Sequence, residues 1–288
     1  MFPNDQALIR LAGSLLIEQN DEWLVSGRYL SEASMASLPQ GGSMRTQVNR
    51  IERKLRVVAR RALPLLVPGY RQYVEWLHST RSRSRERLFT RYVHSNHWGG
   101  ESSLSGEGSN LEQTAALRTA LPSVLNKLRV RSLLDAPCGD YHWMLHVDLG
   151  LDRYIGGDII YDLVRHLQVS YGRDGVEFMH LDISKDPLPQ ADAILCRDCL
   201  VHFSFRQIDA TVRNFKRSGA EYLLTTTFPD TKMNRDIITG DWRRLNPCAS
   251  PLNWPEPLML INERCTQADS RFADKSLGVW KLASLPSG

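Results

Sequence analysis

Four short apolar runs in the second half of the chain each lead into an aspartate. Asp135, Asp158 and Asp182 close the first three runs, and Asp198 comes two residues after the fourth. Taken singly, each acid could be a helix cap or a solvated strand end, but four in the same position favour a shared site. Since carboxylates favour a nearby positive charge and repel anions, the set predicts a cationic or zwitterionic ligand.

The turn after the first run points the same way. A dinucleotide site needs several glycines here, so that a helix N-terminus can receive the pyrophosphate. Only Gly139 is present, and Asp140 would repel a phosphate. A helix is expected to follow the turn, beginning at Tyr141, His142 and Trp143.

The segment CRDCLVHFS, residues 196–204, carries the candidates for catalysis. His202 could accept a proton from a bound acceptor, and Asp198, four residues earlier, could orient its ring. In the alternative interpretation Asp198 caps the following helix and His202 packs under the sheet edge. Arg197 could instead hold an acidic acceptor.

These residues must be positioned by the elements around them. Strand-like runs at 130–136, 153–159, 176–182, 191–196 and 220–228 alternate with loops or helical patterns, and a helix is predicted at 204–218. Alternation of this kind predicts a parallel sheet covered on both faces, with ligands beyond the carboxyl ends of its strands. Two final runs, at 257–265 and 275–283, predict an antiparallel hairpin.

The order of these motifs resembles a class I S-adenosylmethionine (SAM)-dependent methyltransferase over about residues 100–283. The resemblance rests on the D-x-x-C-G-D turn and on acids that close the second and third strands. It implies a Rossmann-like α/β fold: a mostly parallel seven-stranded sheet, helices on both faces and a C-terminal antiparallel hairpin. It also implies SAM as the cofactor and methyl transfer as the reaction.

The resemblance assigns a role to each motif. Asp158 would bind the ribose hydroxyls, which suits a carboxylate because it can accept both hydrogen bonds of a vicinal diol. Asp182, with Ile183, would contact the adenine. The residues passing under the methionine part would be Asp135, Cys138, Gly139 and Asp140. The single glycine departs from the family pattern, and Tyr141 occupies a frequent glycine position.

Two loops are further candidates for ligand contact. The glycine- and serine-rich segment 103–114 precedes a predicted helix capped by Ser109 or Asn110, and such segments fold over the cofactor in many class I methyltransferases. Its candidates for a cofactor or substrate role are Ser105, Gly106, Gly108 and Ser109, unless the loop only caps the helix. The proline-rich segment 246–257 could form a rim of the acceptor pocket through Trp254, or be a packed connection.

Composition restricts the class of protein. The chain has 288 residues, 42% of them hydrophobic, which is enough for a large core. Five scattered cysteines and the absence of a signal-like start predict reduced thiols and a cytoplasmic location. Cys196 and Cys199 lack the second pair of a zinc site, so no metal is predicted. No apolar run reaches the roughly 18–20 residues of a membrane span.

The modest net charge of +4 is unevenly distributed. Between Arg50 and Arg91 there are 12 Lys or Arg and 3 acids. We interpret residues 46–100 as a basic helical arm before a methyltransferase domain at 101–288. The arm suggests alternative functions, namely nucleic-acid binding or nucleic-acid methylation through residues 50–91. It could also contact an anionic membrane surface, which would suit a lipid-linked acceptor.

The first 35 residues are similar to the C-terminal tail of mutator-type insertion-sequence transposases. The similarity includes the segment EQNDEW at 18–23. The metal-binding acids of that family lie upstream of the tail and are absent here, so residues 1–45 are interpreted as a remnant without transposase activity. The favoured function is SAM-dependent methyl transfer to a small-molecule, sugar or lipid-linked acceptor; a transposase-derived fragment without a catalytic core is a further alternative.

Overall fold

The computed structural model describes residues 84–286, in which seven strands form one sheet. The strands are β1 Ser132–Asp135, β2 Arg153–Asp158, β3 Val176–His180, β4 Ala193–Cys196, β5 Tyr222–Thr227, β6 Met259–Asn262 and β7 Ser276–Lys281. Their order is β3-β2-β1-β4-β5-β7-β6. The first five are parallel, and β7 runs antiparallel to both β5 and β6. The expected mostly parallel sheet with a closing antiparallel pair, the Rossmann-like methyltransferase fold, is confirmed.

Four helices of at least eleven residues accompany the sheet: α1 Ser84–His94, α2 Ala115–Lys127, α3 Tyr161–Tyr171 and α4 Phe205–Arg217. A four-residue turn of helix, α5 Gln267–Ser270, lies between β6 and β7. Ser204 caps α4, because its hydroxyl accepts a hydrogen bond from the backbone N–H of Gln207 at 3.3 Å. The predicted helix at 204–218 therefore starts and ends close to where its sequence indicated.

The expected helix at Tyr141–Trp143 is wrong. Only a short 3₁₀ turn, Met144–His146, lies between β1 and β2. Tyr141 has φ of 60°, a left-handed conformation that a right-handed helix cannot contain. Its ring packs in a buried aromatic cluster with Tyr154 and Phe178, at centroid distances of 5.3 and 5.0 Å.

The core lies on both faces of the sheet, because successive strand residues point to opposite sides. Leu133 of β1 packs in a cluster with α2 and α3, whereas Leu134 packs in a second cluster with α4. Phe89 of α1 lies against the second cluster. This double coverage holds the strand ends, and the acids that follow them, in fixed positions.

Within residues 84–286, no helix is long and apolar enough to cross a membrane. Two sequence-based predictions concern residues outside this range. They are the transposase-like stretch and most of the basic segment 50–91, of which only 84–91 is described.

Candidate active site

An open cavity lies at the carboxyl ends of β1, β2, β3 and β4. Most of the candidate site residues line it: Ser105, Asp135, Cys138, Gly139, Asp140, Asp158, Asp182, Ile183, Arg197, Asp198 and His202. The last three were the candidates for catalysis. Ser109 lines the cavity as well, whereas Gly106 and Gly108 do not.

Asp135 is a buried carboxyl group at the end of β1. It accepts a hydrogen bond from the Tyr154 hydroxyl at 2.6 Å. Burial raises the pKa of Asp135 to about 7, although that hydrogen bond and the charge of Arg197 act in the opposite direction. A cation in the cavity would favour the ionised form.

Asp158 holds the turn that follows β1. Its carboxylate accepts hydrogen bonds from the backbone N–H of Gly139 at 3.1 Å and of Ile160 at 3.0 Å. Burial nevertheless raises the pKa of Asp158 to about 6. Each carboxylate oxygen has two lone pairs, so Asp158 can accept further hydrogen bonds from a ligand.

The turn itself depends on backbone conformations that glycine favours. Gly139 has φ of 56°, and a Cβ atom at this position would lie 2.2 Å from the Ser105 hydroxyl oxygen. Tyr141 shares the left-handed conformation, at the position where the family pattern has glycine. The turn therefore makes its bend with one glycine and one strained tyrosine.

Asp140 fastens the loop at 103–105 over this turn. Its carboxylate accepts hydrogen bonds from the Leu104 N–H at 2.7 Å and from the hydroxyls of Ser103 and Ser105 at 3.1 and 3.2 Å. Asp140, which was expected to face a cofactor, therefore also positions Ser105 next to Gly139.

The two loop glycines that do not line the cavity make different contacts behind its wall. A Cβ atom on Gly106, whose φ is 93°, would lie 2.7 Å from the Cβ of Trp98. The carbonyl oxygen of Gly108 accepts a 2.7 Å hydrogen bond from the Arg197 guanidinium. Both glycines therefore contact residues that line the cavity, although they do not line it themselves.

Asp182 is paired with a residue that the sequence did not suggest. Arg85 of α1 donates to the Asp182 carboxylate at 2.5 Å and to the Ser184 hydroxyl at 2.6 Å. Arg85 is buried and lines the cavity. Arg85 is one of many arginines in the basic segment 50–91, and the local sequence does not mark it as a site residue. Ile183 is buried beside it.

Arg197 belongs to a cluster of four charges, of which all but the partly exposed Asp198 are buried. Its guanidinium donates to Glu263 at 2.6 Å and lies 3.1 Å from Asp198. Lys275 lies 2.6 Å from Asp198 and 3.4 Å from Glu263. No sequence motif marks Glu263 or Lys275, which lie far along the chain beside β6 and β7. Because Arg197 is engaged by two acids, it is not available to hold an acidic acceptor.

Burial alone would raise the pKa of Asp198, but the charges of Arg197 and Lys275 outweigh it and hold the pKa below its usual value. Asp198 also has φ of 51°, an unusual conformation for a residue other than glycine. The cluster fixes this residue in place.

His202 has a different orienting partner from the one expected. Its Nδ1 lies 3.0 Å from the backbone carbonyl oxygen of Asp241, and no hydrogen bond joins it to Asp198. A carbonyl only accepts, so Nδ1 carries the proton and Nε2 keeps a lone pair. Burial lowers the pKa of His202 to about 4, so the ring is neutral near pH 7.

Trp143 and Trp254 differ in position. Trp143 lines the cavity, and Arg197 lies over its ring at 5.6 Å. Trp254, the candidate acceptor contact, is buried against Trp280 at 5.5 Å and does not line the cavity. The alternative interpretation, in which segment 246–257 is a packed connection, fits its position.

All five cysteines are free thiols. Burial raises the pKa of Cys138, and the neighbouring acids Asp158 and Asp135 add to that shift, so the group is a thiol. No group of three or more potential metal-binding side chains occurs between residues 84 and 286.

No protein-family model matches the sequence, and no curated protein is significantly similar to it. Similar solved structures include the methyltransferase domain of bacterial CtHen1, with 14% identity and a TM-score of 0.42 over 60% of this chain and 100% of that chain. PigF with SAH (S-adenosylhomocysteine) is 13% identical, with a TM-score of 0.42 over 59% and 56% of the two chains. Magnesium protoporphyrin IX methyltransferase (ChlM) from Synechocystis PCC 6803 with bound SAH is 18% identical, with a TM-score of 0.32 over 41% and 58%. These similarities concern the fold.

Proposed function

We propose that this protein is a SAM-dependent methyltransferase that acts on a small-molecule, sugar or lipid-linked acceptor. The observation that carries the proposal is the meeting of Asp135, Asp158 and Asp182 with the Gly139 turn in one cavity. Two of these carboxyl groups are buried with raised pKa values, and neither forms an ion pair. A ligand with a positive centre would supply the missing countercharge.

The residues present fit the cofactor. Asp158 would bind the ribose hydroxyls, Asp182 and Ile183 would face the adenine, and the turn at 138–140 would lie under the methionine part with Asp135. Ser105 and its loop would cover that part, and Gly106 and Gly108 would keep the loop close. When bound, SAM supplies a methyl group on a cationic sulfur.

The chain's own residues would orient the acceptor and remove its proton. His202 would accept a proton at Nε2, since Nδ1 is held by the Asp241 carbonyl. Asp198 and Arg197 would act as positioning residues, because their buried cluster fixes the segment that leads to His202. Positioning contributes much of the rate of such a transfer, and a base is required only where the acceptor retains a proton.

Calorimetric titration of SAH into the full chain tests the cofactor assignment. We expect micromolar binding to the wild type and at least tenfold weaker binding to Asp158→Asn, which has fewer acceptors for the ribose hydroxyls. The matched control is Asp209→Asn on the exposed side of α4, which should bind like the wild type. Absence of binding to the wild type would refute the proposal.

The nucleic-acid alternative stays a prediction, since within the described part of residues 50–91 Arg87 and Arg91 are exposed whereas Arg85 is not. Arg85, a basic residue of that segment, is buried and bound to Asp182, so it cannot contact a phosphate backbone. The domain limits at 45 and 100, peripheral membrane contact and a cytoplasmic location stay predictions from the sequence.

A further inference from the structure

The part of the cavity next to His202 is lined by an aromatic wall, which we define as Phe89, Trp98 and Phe203. The rings of Phe89 and Trp98 are stacked, with centroids 6.4 Å apart and an interplanar angle of 23°. The Trp98 ring lies 6.1 Å from the His202 ring. A flat ligand could therefore contact an aromatic face while one of its atoms reached His202.

The four charges of the cluster beside Asp198 neutralise one another. Arg197 and Lys275 balance Asp198 and Glu263 in the buried cluster, where every member has a partner of opposite charge within 3.5 Å. A carboxylate or ammonium group on the acceptor would lose its hydration and find no unpaired countercharge in this cluster. This end of the cavity therefore favours an uncharged acceptor.

The surroundings of His202 keep its ring neutral. Burial is the main cause, and the charges of His97 and Arg243 lower the pKa further, whereas the Asp241 carbonyl and the Asp198 charge raise it. Arg243 is fully buried and donates to the carbonyl oxygens of Phe203 and Val201. A neutral imidazole with a lone pair on Nε2 can accept a hydrogen bond from a hydroxyl group.

We propose that the acceptor is an uncharged, planar hydroxyl compound of the phenol class, bound with its ring against Trp98 and its hydroxyl directed to His202. This inference rests on the proposed function. The hydroxyl oxygen would form the new bond to the methyl carbon while its proton passes to His202 Nε2. The electron pair of the broken carbon–sulfur bond stays on the sulfur, and His202 later releases the proton to water.

Binding of matched probes to the SAH-saturated full chain tests the charge and shape of the acceptor. The probes are 2-naphthol, its charged counterparts 2-naphthoate and 2-naphthylmethylamine, and the non-planar 2-decalol. Calorimetry at pH 7 should show at least tenfold tighter binding of 2-naphthol than of the other three. Equal binding of any of the three, or no binding of 2-naphthol, would overturn the inference.

A pair of tryptophan variants locates the probe. Trp98→Ala should weaken 2-naphthol binding at least tenfold and leave SAH binding within threefold. The control is Trp242→Ala, because Trp242 is partly exposed, packs on Phe228 and Phe272, and does not line the cavity. If both variants bind 2-naphthol like the wild type, the ring does not lie against Trp98 and the inference fails.

Turnover separates the role of His202 from a structural one. With 2-naphthol as acceptor, His202→Gln should lower kcat at least a hundredfold while KM changes less than threefold. A loss confined to KM would overturn the assignment of the hydroxyl to His202. SAH binding without a preference for 2-naphthol would refute this inference alone, whereas failure to bind SAH would refute the proposed function and the inference with it.

Discussion

Aspartates at two ends of the same cavity have opposite electrostatic behaviour. Burial raises the pKa of Asp135 and Asp158, which lie after β1 and β2 with hydrogen bonds but no ion pair. Asp198, after β4, is partly exposed, and Arg197 and Lys275 hold its pKa below the usual value. The acids of the first end therefore lack an ion-pair partner, whereas Asp198 at the second end has two.

The comparison separates acids without an ion-pair partner from acids that are paired within the chain. An unpaired buried carboxylate destabilises the folded protein, and a bound cation would offset that cost, as the proposed function requires. A buried carboxylate with two cationic partners is satisfied within the chain, and its removal leaves other charges unpaired. Strand-end position alone does not distinguish the two kinds.

Removal of Lys275 should have the largest effect on stability. Lys275→Met leaves the acids of the buried cluster with one cation, and we expect a loss of about 3–5 kcal/mol in the free energy of unfolding. Urea denaturation measures the change. The control is Arg213→Ala, which removes a half-exposed ion pair with Asp209 and should change stability by less than about 1 kcal/mol. Equal effects of the two variants would contradict the division between the two ends.

Removal of the Asp135 charge, at the other end of the cavity, should have a smaller effect on stability, and of opposite sign. Asp135→Asn keeps an acceptor for Tyr154 and removes an unpaired buried charge. We expect the free energy of unfolding at pH 8 to rise by a few kcal/mol, since the pKa of Asp135 exceeds its ordinary value by about 3 and each pKa unit corresponds to about 1.4 kcal/mol. The same variant should bind SAM more weakly.

The coupling between proton binding and folding determines how the stability gain of Asp135→Asn depends on pH. The pKa of Asp135 in the folded protein, about 7, exceeds the ordinary value of 3.8, so between these values the folded protein binds more protons than the unfolded chain. Wild-type stability therefore falls as pH rises through this window, and the advantage of Asp135→Asn should disappear near pH 4. Urea denaturation at pH 4 and pH 8 checks this, and a pH-independent difference would contradict it.

The smallest expected effect concerns the choice between SAM and SAH. As pH rises from 5 to 8, Asp135 and Asp158 ionise, and a cationic sulfur gains more from this than a neutral one. The ratio of SAM affinity to SAH affinity should rise by about threefold. Calorimetry at both pH values measures it. In Asp135→Asn the rise should be reduced, and a rise as large as in the wild type would exclude Asp135 as its source.

Local sequence patterns were sufficient to predict the candidate site residues that follow strands. Asp135, Asp158 and Asp182 were predictable because a strand's apolar run shows where it ends, and parallel strands bring their carboxyl ends to one edge of a sheet. The helix expected at Tyr141 was wrong because the tertiary environment holds that ring in an aromatic cluster and its backbone in a left-handed conformation.

The sequence by itself determined the sheet, its closing hairpin and the acids at the strand ends, because periodicity and chain order are local properties. Only the tertiary structure decided how those acids behave. Arg85 reaches Asp182 across 97 residues, and Lys275 reaches Asp198 across 77. Whether a buried carboxylate is paired depends on such contacts between distant segments, and the pairing determines whether its pKa is raised or lowered.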